Sequence, residues 1–259
     1  MSEYKHSYLP EYDDFQVDPK HANSRSKKSL KYWASVLAYC DETNKVDTKG
    51  DGWDMFALGN VVVKSNHLRP NEPEDGQDLA IDWSYSDANE IRAISLAKKA
   101  LGDVKVPTVY FSSKVVLVQE RIPGMGLSAV WNAPKLQTQQ HYKQKAQLIL
   151  QHLHRVKTRE DGKEIRACGL VVEDPNDRTN GCMGAQEADI LFSGSAVPPD
   201  IGFMHNFFNP NRFIVMNGKI VGVVGWEKTG FFNRSAVRQV HQQIEFTPTW
   251  WQDIYDYEE

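Results

Sequence analysis

Apolar and polar residues along this chain alternate with two different periods, and the period changes mark its elements. Leu30, Trp33, Leu37 and Cys40 recur at helical spacing and predict a helix starting near Ser26. Asp47 to Gly52 reads as a Gly/Asp turn. Two short apolar runs, Phe56-Ala57-Leu58 and Val61-Val62-Val63, flank Gly59-Asn60, the pattern of a tight hairpin. A helix is expected from about Asp87 to Leu101, and two more strands over about 108–122. The longest helix should run from about Leu136 to Lys157, with Tyr142, Ala146, Ile149, Leu150, Leu153 and Val156 along one stripe. Met216-Asn217-Gly218-Lys219 predicts a second hairpin.

Between these elements lie three polar stretches. Residues 1–23 mix charges without periodicity and read as a disordered tail. Residues 65–85 carry Pro70, Pro73, Gly76 and an acidic cluster of Glu72, Glu74, Asp75 and Asp78, which is long for a connection and implies either disorder or function. Residues 159–199 read as irregular and Gly-rich. The C-terminal 28 residues predict a short helix, a Trp250-Trp251 pair and an acidic end, which either docks on its own domain or meets a partner.

Composition narrows the class. The 259 residues are 41% hydrophobic and 25% charged, enough for a substantial core in one domain or two joined lobes. A net charge of −4 gives no general pull toward nucleic acid or an anionic membrane. No apolar run reaches the ~18 residues of a membrane span. The N-terminus lacks the apolar stretch of a signal peptide. Cys40, Cys168 and Cys182 are few and widely spaced, which fits a reducing compartment and no metal-ligand pattern. Cytosol or nucleus is expected. Glycine-rich phosphate loops, zinc-protease helices, nucleophile elbows and Cys-x-x-Cys pairs do not occur in the sequence.

The densest motif is Ile201-Gly202-Phe203-Met204-His205-Asn206-Phe207-Phe208-Asn209-Pro210-Asn211-Arg212-Phe213-Ile214-Val215, followed by Lys219-Ile220-Val221-Gly222-Val223-Val224-Gly225-Trp226-Glu227. It resembles the fungal branch of the aminoglycoside phosphotransferase-like family, whose members look like His-Gly-Asp-Leu-x-Pro-x-Asn-Ile-Leu-Val, a turn, then Ile-x-Gly-Ile-Ile-Asp-Trp-Glu-x-x-Gly-Phe. His205, Pro210, Gly222, Trp226, Glu227, Gly230 and Phe231 keep that frame. The resemblance spans roughly 53–232. It implies an α+β, two-lobed kinase-like fold, with a small antiparallel-sheet lobe over 24–120 and a mostly helical lobe over 121–259. It also implies a nucleotide-facing Lys64, a partner Glu90 on the following helix, and Glu120 at the end of the strand leading to the hinge. Glu90 has an equal explanation in a capping box with Asp87.

Within that frame three catalytic positions are changed. The resemblance places a base Asp at Phe207, a metal-binding Asn at Arg212 and a metal-binding Asp at Gly225. His205 reads as a buried structural residue. Arg212 is a permanent cation where a metal would sit, able to pair with a carboxylate or phosphate. Phe207 and Phe208, with Arg212, Trp226 and Glu227, are expected either to fill the cleft or to line a ligand pocket. A displaced metal site on Glu227 and Asp200 is the remaining metal option. The expectation is therefore a pseudokinase acting as a binding or scaffold module, with no metal and no Mg-ATP cofactor, and with a protein or small molecule as its partner. The alternatives are a biosynthetic enzyme that does not use Mg-ATP and a divergent small-molecule phosphotransferase.

Overall fold

The computed structural model describes residues 11–49, 53–68, 84–113, 116–156, 184–192, 201–244 and 248–256. The chain divides into two compact units, Met1–Ser84 with Pro107–Pro123, and Tyr85–Val106 with Gly124–Glu259.

In the first unit, helix α1 (Lys27–Ala38) is capped by Ser26, whose hydroxyl accepts from the Ser29 amide at 3.2 Å. Its buried face runs through Ser29, Trp33, Val36 and Cys40. Leu30, expected on that face, is exposed, because the stripe is rotated by one position. The helix packs on a five-stranded antiparallel sheet of order β1-β2-β3-β5-β4, with β1 at Lys45–Lys49, β2 at Trp53–Leu58, β3 at Val61–Ser65, β4 at Val109–Ser112 and β5 at Val116–Glu120. Strand β1 takes in Asp47 to Lys49, the first half of the stretch expected as a turn, and residues 50–52 lie outside the described residues. Val46 suits a pleated edge, and the pairing of Asp47 with Met55 on β2 overrides the turn preference of Asp47 itself. Trp33 stacks on Phe111 at 5.4 Å and donates from Nε1 to the His21 carbonyl at 3.0 Å.

Residues 11–23, expected as tail, are ordered against this unit. Phe15 and Val17 pack on its core, and the Phe15 carbonyl accepts from the Asn60 amide at 2.9 Å. The hairpin between β2 and β3 permits this approach only because Gly59 is a glycine. It has φ +45°, and a Cβ there would lie 2.2 Å from the Phe15 carbonyl oxygen.

The second unit begins with α2 (Ser84–Ala100). The helix starts three residues before Asp87, so Asp87 and Glu90 both lie inside it. Helix α3 (Leu127–Val130) and the long α4 (Leu136–His154) follow, and α4 buries Tyr142, Ala146, Ile149, Leu150 and Leu153 as its stripe predicts. Helix α5 (Ala185–Phe192) lies in the stretch read as irregular. Two small sheets carry the central loop. One pairs β7 (Ile201–His205) with β10 (Thr229–Asn233). The other has order β6-β8-β9, from Met125–Gly126, Phe213–Met216 and Lys219–Val223. The β8–β9 turn has φ +51° at Asn217 and +71° at Gly218, the two left-handed residues of a type I′ hairpin. Helix α6 (Arg234–Gln243) and a 3-10 turn over Thr249–Tyr255 close the unit. That turn docks on its own domain: Trp251 is fully buried and its Nε1 donates to the Phe208 carbonyl at 2.9 Å. The remaining parts of 1–23, 65–85 and 159–199 named in the sequence reading, with Cys168 and Cys182, lie outside the described residues.

Replacing Gly59 by Ala adds the left-handed backbone cost and a clash with main chain that has no rotamer to escape through. We expect a loss of about 2 kcal/mol or more, seen as a Tm drop of roughly 4–8 °C by differential scanning fluorimetry. Limited proteolysis should then cut first within residues 11–23.

Candidate functional site

Strand β7 delivers His205 into the interior of the second unit. The imidazole Nε2 donates to the Val224 carbonyl at 3.1 Å, and Nδ1 accepts from the Phe207 amide at 3.3 Å. One ring thus joins the two ends of the motif in a single neutral tautomer. The ring is fully buried, and burial with the nearby Arg212 cation lowers its pKa to about 4. His241 on α6 accepts from the Phe208 amide at 3.1 Å, and its pKa falls to about 3, chiefly through burial. His205 is therefore a structural clasp for the loop, as its sequence context suggested.

The next residues turn outward. Asn209 caps the 3-10 turn over Pro210–Arg212 by accepting from the Asn211 amide at 3.0 Å. The turn sets Arg212 across from Val224, whose amide donates to the Arg212 carbonyl at 2.9 Å. From there the guanidinium lies over the Phe207 ring, with Cζ 4.2 Å from its centroid, and Nη2 faces Glu227 Oε1 at 3.6 Å. It fills the space beside Gly225. That residue has φ +79°, and a Cβ built on it would lie 2.5 Å from Arg212 Nη1 and 2.8 Å from Cζ. The arginine and the glycine are thus one steric unit: each occupies what the other leaves.

A second ion pair borders the first. Lys228 Nζ lies 3.0 Å from Glu187 Oε2 on α5 and 5.5 Å from the Phe207 centroid. The buried Glu187 also accepts from Asn206 Nδ2 at 2.7 Å. Asn89 on α2 donates through Nδ2 to the carbonyls of Glu227 at 2.8 Å and Thr229 at 3.0 Å, which fixes the backbone carrying both charged residues. Among the described residues, two cations therefore face the Phe207 ring, each paired with a carboxylate.

Phe207, Arg212, Gly225 and Glu227 lie together in the structure. Phe208 and Trp226 do not line a pocket. Both are fully buried, Phe208 edge-on to Phe213 at 4.5 Å and Trp226 bonded through Nε1 to the Val223 carbonyl at 3.0 Å, so hydrophobic burial commits them to the core. In the first unit, Lys64 is buried on β3 with Nζ 5.0 Å from the Trp53 ring centroid, and Glu120 accepts from the Thr108 amide at 3.1 Å. In the second, Glu90 is fully buried on α2. Asp200 lies outside the described residues. Sequence reasoning missed Glu187, Asn206, Lys228 and Asn89. Only Lys228, next to Glu227, carried a usable signal.

Phe207, Arg212 and Gly225 offer a divalent cation no side-chain ligand. Among the described residues, no group of three or more His, Cys, Asp or Glu side chains is arranged to hold a metal. Arg212 adds repulsion: two unit charges ~4 Å apart at an effective dielectric of ~20 cost about 4 kcal/mol, and a divalent ion about twice that.

No family model and no curated protein matches the sequence. Solved structures do match the fold. The chain is similar to the aminoglycoside phosphotransferase APH(2″)-IIa in its streptomycin–ATP ternary complex, at 11% identity over 94% of this chain and 86% of that one, with a TM-score of 0.57. The gentamicin complex of APH(2″)-IIa gives 12% identity, 94% and 83% coverage and a TM-score of 0.55. ADP-bound APH(2″)-Ib gives 12%, 90% and 83%, and 0.52. The fold is thus the kinase-like fold of the aminoglycoside phosphotransferases, an antiparallel-sheet lobe plus a mostly helical lobe. Among the described residues, no helix is long and apolar enough to cross a membrane.

The two buried imidazoles make stability depend on pH. Each is neutral in the fold and protonates near 6.5 once unfolded. Stability is therefore complete above pH 6.5 and is lost as the pH falls toward 4, at up to about 1.4 kcal/mol per unit for each ring. Thermal melts should drop by roughly 5–15 °C between pH 7 and pH 5. A His241→Asn variant should show a shallower slope over the same range.

Proposed function

We propose that this chain is a pseudokinase-type member of the fungal aminoglycoside phosphotransferase-like group, a binding module that does not transfer phosphate from Mg-ATP. Phosphoryl transfer is catalysed almost wholly by positioning and by metal neutralisation of developing charge. The observation that carries the reading is the Arg212 guanidinium in the space beside Gly225, 2.5 Å from where a Cβ would be. A carboxylate cannot be restored there without evicting the arginine. The base position is likewise closed, since Phe207 lies under the same guanidinium. Charge, shape and backbone conformation at the three altered positions support one another, as expected of a site settled into a different use. The partner is a protein or a small molecule met in the cytosol or nucleus.

A divergent small-molecule phosphotransferase is the competing reading, because the similar folds were solved with ATP, ADP, streptomycin or gentamicin bound. Titration of ATP with and without Mg²⁺ separates the two. A ligand at ~100 times its Kd adds about 2.7 kcal/mol, or roughly 5–10 °C in Tm. We expect no shift that depends on Mg²⁺ and no ATP turnover. A Mg²⁺-dependent shift of that size, with turnover, would establish the phosphotransferase.

A further inference from the structure

One stretch of this acidic protein carries no acid. Residues 19–40 contain Lys20, Arg25, Lys27, Lys28 and Lys31 and no Asp or Glu, while the whole chain has a net charge of −4. Lys20 is paired with Asp18, and Arg25 Nη2 donates to the Ser112 carbonyl at 3.0 Å. Lys27, Lys28 and Lys31 are exposed on α1, and among the described residues none of the three is paired with a carboxylate. Residues three and four apart share a helix face, so Lys31 lies beside both Lys27 and Lys28.

This placement works against the helix. The first turn of an α-helix carries the positive end of its dipole and favours carboxylates. Here the first turn holds two lysines and no acid, and its cap is the neutral Ser26 hydroxyl. The buried Ser29 hydroxyl extends the cap, bonded to Ser26 Oγ at 2.9 Å, Ser24 Oγ at 2.8 Å and His21 Nδ1 at 2.9 Å. The helix start is thus held by neutral groups, and the lysines repel one another and the dipole beside it.

The same face continues as a smooth strip. Ala34 and Ala38 follow Lys27 and Lys31 at helical spacing and are exposed, and Leu30, 45% exposed, flanks them. Asp41 and Glu42, both exposed, follow the helix and end the basic region.

We propose that the exposed face of α1 is a docking surface for a short acidic segment of a partner protein, with its carboxylates on Lys27, Lys28 and Lys31 and an apolar residue against Leu30 and Ala34. Charge complementarity selects the acidic ligand. The size of the patch selects a short one: the helix is about 18 Å long, and a longer polyanion would run from it onto Asp41 and Glu42. A helix lying in a membrane surface needs its apolar face for the lipid, and α1 buries Trp33, Val36 and Cys40 in its own core. The surface belongs to the first unit and is independent of whether the loop in the second turns over ATP.

Fluorescence anisotropy of the full chain tests this with a labelled peptide, a run of glutamates followed by Leu-Ala-Leu, against the same peptide with glutamines. We expect saturable binding that weakens several-fold between about 0.05 and 0.15 M salt, as screening shortens the reach of exposed charges. The glutamine peptide should bind about tenfold more weakly or worse. A triple charge reversal, Lys27→Glu with Lys28→Glu and Lys31→Glu, should weaken binding of the acidic peptide by about tenfold or more. Its Tm should equal or exceed that of the unaltered protein, because acids suit the first turn, so that lost binding is not lost folding. In the unaltered protein the peptide should shift the amide resonances of α1. No binding, equal binding of the two peptides, unchanged binding by the triple variant, or shifts confined to other elements overturns the docking surface. A Tm several degrees lower in the triple variant would show that the lysines serve the fold and overturns it as well. Tighter binding to oligo-dT or to phosphatidylserine vesicles at the same salt overturns it in favour of nucleic acid or a membrane.

Discussion

The guanidinium of Arg212 sits in the space that Gly225 leaves empty, and the rest of the loop is arranged around that placement. It reaches there because Asn209 and Pro210 start a 3-10 turn that aims residue 212 back across the motif. It stays because the Phe207 ring lies against it at 4.2 Å and Glu227 attracts it from 3.6 Å. The left-handed φ of +79° at Gly225 makes the arrangement specific, since both the backbone and the missing side chain are required. Beside this pair, Glu187 on α5 and Lys228 form a second one.

Beneath the charged layer the structure is aromatic and apolar. Phe208, Phe213 and Trp251 meet edge to face, and Trp226 packs T-shaped on His205 at 4.8 Å. The His205 and His241 rings serve here as hydrogen-bonding fillers that satisfy the loop amides of Phe207 and Phe208. This division explains how the loop keeps its course with Phe207, Arg212 and Gly225 in it. Its backbone is held by buried residues, while the charged side chains lie in a separate, partly buried layer.

Much of the fold was legible in the sequence because strong local signals and the tertiary structure agree. The apolar stripe of α4 and the Asn217-Gly218 turn are such cases. The failures have physical causes. Asp47 is a turn former by preference, yet it lies on an edge strand whose partner supplies the hydrogen bonds. Residues 11–23 lack periodicity because only Phe15 and Val17 need to anchor them, through the glycine contact at Gly59. Of the site, Phe207, Arg212, Gly225 and Glu227 were readable in the motif, while Asn206 beside them and the residues from other elements were not. Glu187 comes from a helix of eight residues, too short to show a period, and Asn89 from a helix whose family-like features drew attention to Glu90 instead. The expectation for Phe208 and Trp226 failed because the sequence shows aromatic bulk without showing which side of the loop it faces.

The central claim is that Arg212 and Gly225 are sterically matched, and a double-mutant cycle measures it most directly. Gly225→Ala, Arg212→Ala and the double variant are compared by chemical denaturation. If the account holds, Gly225→Ala is strongly destabilising in the native background and markedly less so once Arg212 is truncated, with a coupling of about 0.5–3 kcal/mol. What remains in the truncated background is the backbone cost of a positive φ, about 1–2 kcal/mol. Equal costs of Gly225→Ala in the two backgrounds would show that the guanidinium does not occupy the space beside residue 225, and would contradict the account.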